Sequence, residues 1–179
     1  MRNVLRFVLL AAFTVMLVMP PTPRSGAEGK ERRAANIAIV LRVNDGDTIT
    51  VRINGRHERV RLIGIDAPEM AQFPWGVKAK RHLQEILLSS REVFLELDID
   101  KRDKYGRLLA YVRTGDGRMI NEEMVNDGYA VLFTYPPNVR YVSLFNRAQA
   151  DARRRKAGIW GGRGFDESPS RYRSEHPRR

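Results

Sequence analysis

Between residues 36 and 65 the sequence alternates apolar and polar positions with a period of two. The segments "NIAIVLRV", "DTITVRI" and "ERVRLIGI" are rich in Ile, Val and Thr, whose branched side chains suit a pleated surface. Between them stand "NDGD" and "NGRH", which are typical of hairpin turns. The pattern therefore predicts a meander of three antiparallel strands.

Beyond this meander the hydrophobic period changes. Apolar residues from Val77 to Leu88 recur at helical spacing, with Lys and Arg between them, and predict an amphipathic helix. "EVFLELDI" and "GRLLAYVRT" predict two more strands, and "MINEEMVNDG" predicts a short helix that ends at Gly128. Asn138 is predicted to cap a last helix that ends before Gly158. We predict a mainly β protein with helices (α+β), a five-stranded OB-fold barrel with about three helices.

The two ends of the chain differ from this central domain, which spans residues 36–160. Residues 1–27 have early arginines, an apolar run from Phe7 to Met19 and then small residues, the layout of a signal peptide. An uncleaved N-terminal membrane anchor is the second interpretation. We expect an exported protein, secreted or periplasmic, or one tethered to the membrane. Residues 28–35 predict a flexible linker, and the basic tail at 161–179 predicts disorder.

The formal net charge of +11 favours an anionic partner, nucleic acid above all. A generally basic protein, or one that interacts with a membrane surface, would also explain the charge. The chain has no Cys, so it offers no thiolate ligands and no disulfides. His57, His82 and His176 show no metal-ligand spacing, and zinc chemistry is therefore not expected.

Acidic residues and arginines stand at the ends of the predicted strands. Asp47 begins the second strand, Asp66 and Glu69 follow the third, and each has an ordinary interpretation as a turn, loop or surface residue. Arg107, at the start of the fifth strand, suits a surface charge equally well. Arg61 is harder to explain, because the alternation places it on the same face as two isoleucines. If that face is buried, the guanidinium needs a partner.

Together these residues suggest a chemical site. A hard cation such as calcium prefers oxygen ligands, which Asp47 and Asp66 supply if their strands pair. Glu69 follows Asp66 closely enough to orient or deprotonate a water molecule. Arg61 and Arg107 can clamp a phosphate and offset the charge that develops on its oxygens. The combination predicts metal-assisted hydrolysis of a phosphodiester.

The central domain closely resembles the staphylococcal nuclease (thermonuclease) family. The resemblance rests on "NDGDTITV", "VRLIGIDAPE", "DKYGRLLAYV", "INEEMVNDGYA" and "ARRRKAGIW", which occur in family order between residues 37 and 160. It implies a five-stranded OB barrel with three helices. It also implies a calcium-dependent phosphodiesterase that cuts DNA and RNA and leaves 3′-phosphate ends. We expect a monomer, with nucleic acid as substrate and no protein partner.

The resemblance also implies roles for single residues. Asp47 and Asp66 would bind Ca²⁺ through their carboxylates and Ala67 through its backbone carbonyl, so that Ala is acceptable where the family often has Thr. The catalytic residues would be Glu69 as the general base, with Arg61 and Arg107 on the phosphate. The second of these arginines would also assist the leaving oxygen.

Three aromatic residues complete the expected site. Tyr105 would line the nucleotide pocket, and Phe133 and Tyr135 would contact the substrate. Phe133 stands where the family prototype carries a tyrosine, so stacking on a base remains and a hydroxyl contact is lost. The alternative function is a module on the same fold that binds nucleic acid or protein without cutting. The presence of all five charged site residues favours the enzyme.

Overall fold

The structure is a computed structural model, and it describes residues 36–88, 91–162, 164 and 167–177. The predicted signal peptide and linker, residues 1–35, lie outside the described residues. In chain order, the described elements are β1 (Ile37–Val43), β2 (Thr48–Ile53), β3 (Arg56–Leu62), β4 (Ile65–Asp66), α1 (Trp75–Leu88), β5 (Glu92–Arg102), β6 (Leu108–Thr114), α2 (Ile120–Asn126), β7 (Val131–Leu132), α3 (Val142–Arg155), a 3₁₀ turn (Gly158–Trp160) and α4 (Pro169–Glu175).

Five of the strands close into a barrel in the order β1-β2-β3-β6-β5. Neighbouring strands are antiparallel, except that β3 and β6 run parallel. β4 and β7 form a separate antiparallel pair beside the barrel. The predicted α+β class, the five-stranded OB barrel and the three-strand meander at its start are confirmed.

The period-two pattern decides which side chains enter the barrel. Ile49 and Val51 of β2, with Val60 and Leu62 of β3, are completely buried in the core. Successive residues of a strand point to opposite faces. Arg61, between two of these core residues, therefore lies on the outer face, where it pairs with Thr48 of β2.

The helices α1, α2 and α3 pack their apolar faces against strands and against one another. α1 buries Leu83 and Leu87 of its predicted apolar face, whereas Val77 is exposed. In α3, Phe145 is fully buried and its ring lies so close to Gly64 that a Cβ there would come within 2.4 Å of it. Gly64 also has φ of +80°, which favours glycine, and it turns the chain from β3 into β4. The turn and the packing together set the position of the next strand.

Two predictions about the second half of the chain are wrong. α3 starts after Tyr141, and Asn138 does not cap it; the Asn138 side chain instead pairs with both the backbone N–H (2.9 Å) and the carbonyl (3.0 Å) of Asp100. The tail was predicted to be disordered, but it contains α4, with Ser168 as N-cap and Pro169 in the first turn. These two residues are a local helix-start signal, which the overall composition of the tail obscures. None of the described helices is long and apolar enough to cross a bilayer.

Candidate active site

The turn between β1 and β2 presents Asp47 at one end of the barrel. Its backbone N–H donates to the Asp45 carboxylate (3.1 Å), and its carbonyl accepts the N–H of Leu62 (2.8 Å) at the end of β3. Asp47 is therefore held by its backbone from both sides. Its side chain is nearly buried, with the residue 8% exposed.

Asp66 reaches the same place from β4. The pairing of Asp66 with Val131 of β7 fixes its backbone, and the residue is 1% exposed. The N–H of the next residue, Ala67, donates to Oδ2 of Asp47 at 2.9 Å. This bond joins the two carboxylate-bearing segments, which are 20 residues apart in sequence.

Arg61 bridges the two carboxylates. Its Nη1 lies 3.0 Å from Oδ2 of Asp47 and its Nη2 lies 3.2 Å from Oδ1 of Asp66. Nη1 also donates to the carbonyl of Leu62 at 2.8 Å. A buried guanidinium needs such partners, and here both acids supply them.

The nearby positive charge does not fully offset the burial of the Asp47 carboxylate. Burial raises the pKa of Asp47 to about 7, although the Arg61 guanidinium and the Ala67 N–H both favour the charged form. The charges of the neighbouring Asp45 and Asp66 contribute to this rise in the pKa. The charged carboxylate at this position is therefore stabilised by any additional positive charge placed beside it.

Arg107 joins the site through Thr48. Its Nε donates to Oδ2 of Asp103 (2.7 Å), and its Nη1 lies 3.4 Å from Oγ1 of Thr48. That hydroxyl in turn donates to Oδ1 of Asp47 at 3.1 Å. Residue type and spacing alone predict no role for Thr48 or Asp103, although "DGDT" and "DKYGR" contain them. Their positions inside the two matched motifs were the available signal.

Glu69 lies in the loop that leads from β4 into α1. Its N–H donates to Oε1 of Gln72 (2.9 Å), and its carbonyl packs so closely on Gly76 that a Cβ there would come within 2.0 Å. α1 therefore needs glycine at this point to approach the loop. The Glu69 side chain is mostly buried and accepts a bond from Nη1 of Arg173 at 3.1 Å.

Arg173 of α4 is a site residue that the sequence analysis missed. Its Nη2 lies 2.8 Å from Oδ2 of Asp66, and its Nη1 lies 3.0 Å from Oδ1 of the same carboxylate. Hydrogen bonds to Asp66 raise the pKa of Arg173 above its ordinary value, and Glu69 adds to the effect. No sequence signal predicts a contact between residues 107 positions apart, one of them in a basic tail.

The three aromatic candidates differ in how they are placed relative to the charged site residues. Tyr105 is exposed, and its ring centroid lies 5.6 Å from the Arg107 guanidinium carbon. Phe133 follows β7, and its N–H donates to the carbonyl of Gly64 (3.0 Å). Tyr135 is further along and 60% exposed. In the described part of the chain, neither of the last two rings has a hydrogen bond or ring contact with the charged site residues.

The donor set suits a hard cation. Asp47 and Asp66 present buried carboxylate oxygens, the ligand type that Ca²⁺ and Mg²⁺ prefer. Across residues 36–88, 91–162, 164 and 167–177, no group of three or more His, Cys, Asp and Glu side chains is arranged to hold a metal ion. A cation bound by the two carboxylates would therefore need a backbone carbonyl and water to complete its ligands, which fits the set expected with Ala67.

The fold and the site together define a class: a five-stranded barrel that gathers carboxylates and guanidiniums at one end. The chain belongs to the family described as staphylococcal nuclease homologue, whose model matches residues 59–162. Over 127 residues it is 42% identical to the thermonuclease of Staphylococcus intermedius, which covers 68% of this chain and 74% of that protein. The predicted family is confirmed.

Two relatives from Bacillus subtilis (strain 168) agree with this assignment. The SPbeta prophage-derived endonuclease YokF is 40% identical over 131 residues, which are 69% of this chain and 44% of that protein. Endonuclease YncB is 37% identical over 142 residues, 75% of this chain and 66% of that protein. The chain thus spans less than half of the first protein and about two thirds of the second.

Proposed function

We propose that this protein is a metal-dependent nuclease that hydrolyses phosphodiester bonds in DNA and RNA, with calcium as the cation. The observation that carries the proposal is the Arg61 guanidinium, which bridges Asp47 and Asp66 at one end of the barrel. Family membership and the names of the relatives, thermonuclease and endonuclease, support the same reaction class.

We assign each charged residue a role that suits its position. Asp47 and Asp66 would hold the cation by their carboxylates, and the Ala67 carbonyl would complete the protein ligands. When bound, the cation stabilises negative charge on the phosphate oxygens and favours ionisation of a nearby water. Arg61 and Arg107 bind the phosphate oxygens, where planar guanidiniums make paired hydrogen bonds.

The proposed reaction is an attack by water on phosphorus. Glu69 orients the water and accepts its proton while the new P–O bond forms. The bond from phosphorus to the 5′ oxygen then breaks, and Arg107 offsets the charge on that leaving oxygen. The 5′ oxygen takes up a proton from solvent, so the products are a 3′-phosphate end and a 5′-hydroxyl end.

The outer face of the barrel offers a path for a polyanion. Across the strands, Arg42 of β1 pairs with Thr50 of β2, which pairs with Arg59 of β3. Both arginines are exposed, and they share the outer face with Arg61, two residues beyond Arg59. Arg52 continues the same face in the other direction. A nucleic-acid backbone that follows these cations leads into the site.

Exposed aromatic rings near the site suit the bases of a single strand. Tyr105 lies beside Arg107, and Phe133 and Tyr135 remain accessible on the loop after β7. Stacking on such rings is tolerant of base identity, so we propose cleavage with little sequence preference. We further propose that the protein acts as an exported monomer, which the mass and the size-exclusion volume of the protein recovered outside the cytoplasm would test.

The experiment compares cleavage of single- and double-stranded DNA and RNA in excess calcium and in chelator. We expect cleavage only with the cation, and 3′ ends that a polymerase extends only after phosphatase treatment. Glu69→Gln should slow turnover by about 10²–10⁴-fold while substrate binding persists. Glu92→Gln, an exposed exchange at the start of β5, is the matched control. If no divalent cation supports cleavage of any substrate, the protein is a binding module and the proposal is wrong.

A further inference from the structure

The carboxylate expected to hold the cation already pairs with a cation from the same chain. Arg173 makes a two-pronged contact with Asp66, at 2.8 and 3.0 Å, and its Nη1 also reaches Glu69 at 3.1 Å. Paired guanidinium–carboxylate bonds of this kind are among the stronger ion pairs in proteins. Arg173 thus touches both a proposed cation ligand and the proposed general base.

The segment that carries Arg173 has anchors of its own. We call residues 167–177 the C-terminal segment. The side chain of Gln72, in the loop after β4, donates to the carbonyl of Glu167 at 3.0 Å. Ser168 caps α4 by accepting the N–H of Arg171 (3.3 Å), and Pro169 is buried. The Gln72 bond ties the start of the segment to the loop that carries Glu69, and the Ser168 cap fixes the first turn of α4.

The contacts of Arg173 conflict with cation binding at the same oxygens. Both oxygens of Asp66 accept bonds from Arg173, and Oδ1 also accepts one from Arg61. A divalent cation bound by Asp66 needs one of these oxygens. The cation would be a third positive group at this buried carboxylate, beside Arg61 and the more exposed Arg173. Repulsion among the three is strong because the local dielectric is low. The guanidinium and the cation therefore bind Asp66 in competition.

We propose that the C-terminal segment is an intramolecular inhibitor of this site, in which Arg173 occupies Asp66 and Glu69 until a divalent cation displaces it. The inference rests on the proposed cation-dependent nuclease function. In the closed state Asp66 and Glu69 are both paired with Arg173. In the open state α4 has moved off, and the carboxylates are available to the cation and the substrate. The apparent affinity for the cation is then reduced by the fraction of molecules that are open.

The test measures calcium binding by titration calorimetry on the full chain, without nucleic acid. Arg173→Ala removes the competitor and should tighten the calcium Kd by about tenfold, if about one molecule in ten is open in the wild type. Arg173→Lys, which retains the charge but not the fork, should lie between the two. Arg171→Ala is the matched control, because the exposed Arg171 is on the same helix and pairs with Glu175 and Glu167 rather than with Asp66 or Glu69. Its calcium Kd should stay within about twofold of wild type.

Hydrogen exchange gives a second readout that does not depend on activity. Calcium should lower the protection of the amides of α4 in the wild type and leave those of β2 and β3 protected. In Arg173→Ala the α4 amides should already exchange faster without calcium. An unchanged or weaker calcium affinity in Arg173→Ala, or α4 protection that calcium does not alter, would overturn the inhibitor proposal.

The outcomes separate this inference from the proposed function. A shifted calcium affinity with no cleavage by any variant would retain the inhibitor and reject the nuclease. Cleavage with the same calcium affinity in wild type and Arg173→Ala would retain the nuclease and reject the inhibitor. If Arg173→Ala abolishes cleavage at unchanged affinity, Arg173 contributes to catalysis and does not inhibit. If neither protein binds calcium, magnesium or manganese, there is no competition and both proposals fail.

Discussion

Two guanidiniums reach Asp66 from very different parts of the molecule. Arg61 comes from β3, its side chain is 13% exposed, and it also binds Asp47 and the carbonyl of Leu62. Arg173 comes from the seven-residue helix α4, and its side chain is 39% exposed. The barrel strand cannot move without breaking its sheet, whereas a short helix can separate at small cost. The Arg61–Asp66 ion pair is therefore part of the framework, whereas the Arg173–Asp66 ion pair can be displaced.

The largest difference between Arg61 and Arg173 should appear in the free energy of unfolding. Arg61→Ala leaves two buried carboxylates without their bridge and should lower the free energy of unfolding by about 3–5 kcal/mol. Chemical denaturation at neutral pH measures it. Arg59→Ala, an exposed exchange two residues away on the same strand, is the control and should change little. Equal stability of the two variants would mean that the bridge is not part of the framework.

Substitution of Arg107 tests whether Arg61 and Arg107, the two site arginines of the barrel, have different roles. It lies at the edge of the barrel, where it pairs with Asp103 and contacts Thr48, rather than bridging the acids. Arg107→Ala should reduce the cleavage rate by about 10²–10³-fold, since charge on the leaving oxygen is then less stabilised. Its stability should change far less than that of Arg61→Ala. A normal rate in this variant would remove Arg107 from the proposed chemistry.

Asp103 should act only through the position of Arg107. Burial raises the pKa of Asp103, but the hydrogen bonds and charge of Arg107 outweigh this and lower it overall. The pair therefore stabilises the fold above the unfolded-state pKa of an aspartate and is lost as the pH falls through the lowered folded-state value. Asp103→Asn should cost about tenfold in rate and should make unfolding less sensitive to acid. An unaltered acid transition would show that the pair is not formed in solution.

The smallest effect on stability is expected for Arg173→Ala. The side chain is more than a third exposed, and Arg61 remains to compensate Asp66. Such partly exposed pairs contribute about 0–1 kcal/mol, so the midpoint of unfolding should move little. Chemical denaturation of Arg173→Ala and Arg61→Ala under the same conditions measures the difference between their free energies of unfolding. A loss as large as that of Arg61→Ala would make α4 part of the framework.

Much of the fold was readable because the relevant interactions are local. Alternating side chains specified β2 and β3, and helical spacing specified the buried face of α1, since each pattern lies within one element. The error at Asn138 has the opposite origin. Its side chain binds Asp100, 38 residues earlier, and a contact with another element replaced the local cap.

For the site, the sequence itself identified the residue types and their motifs: the acids Asp47, Asp66 and Glu69 and the arginines Arg61 and Arg107. Their side chains carry the necessary chemistry whatever the fold, and they lie at or near the strand ends that periodicity reveals. Only the tertiary structure decided that one guanidinium bridges two acids, and that Arg173 from the basic tail reaches the same carboxylate. Those contacts depend on how barrel, loop and helix pack in space, which no spacing along the chain encodes.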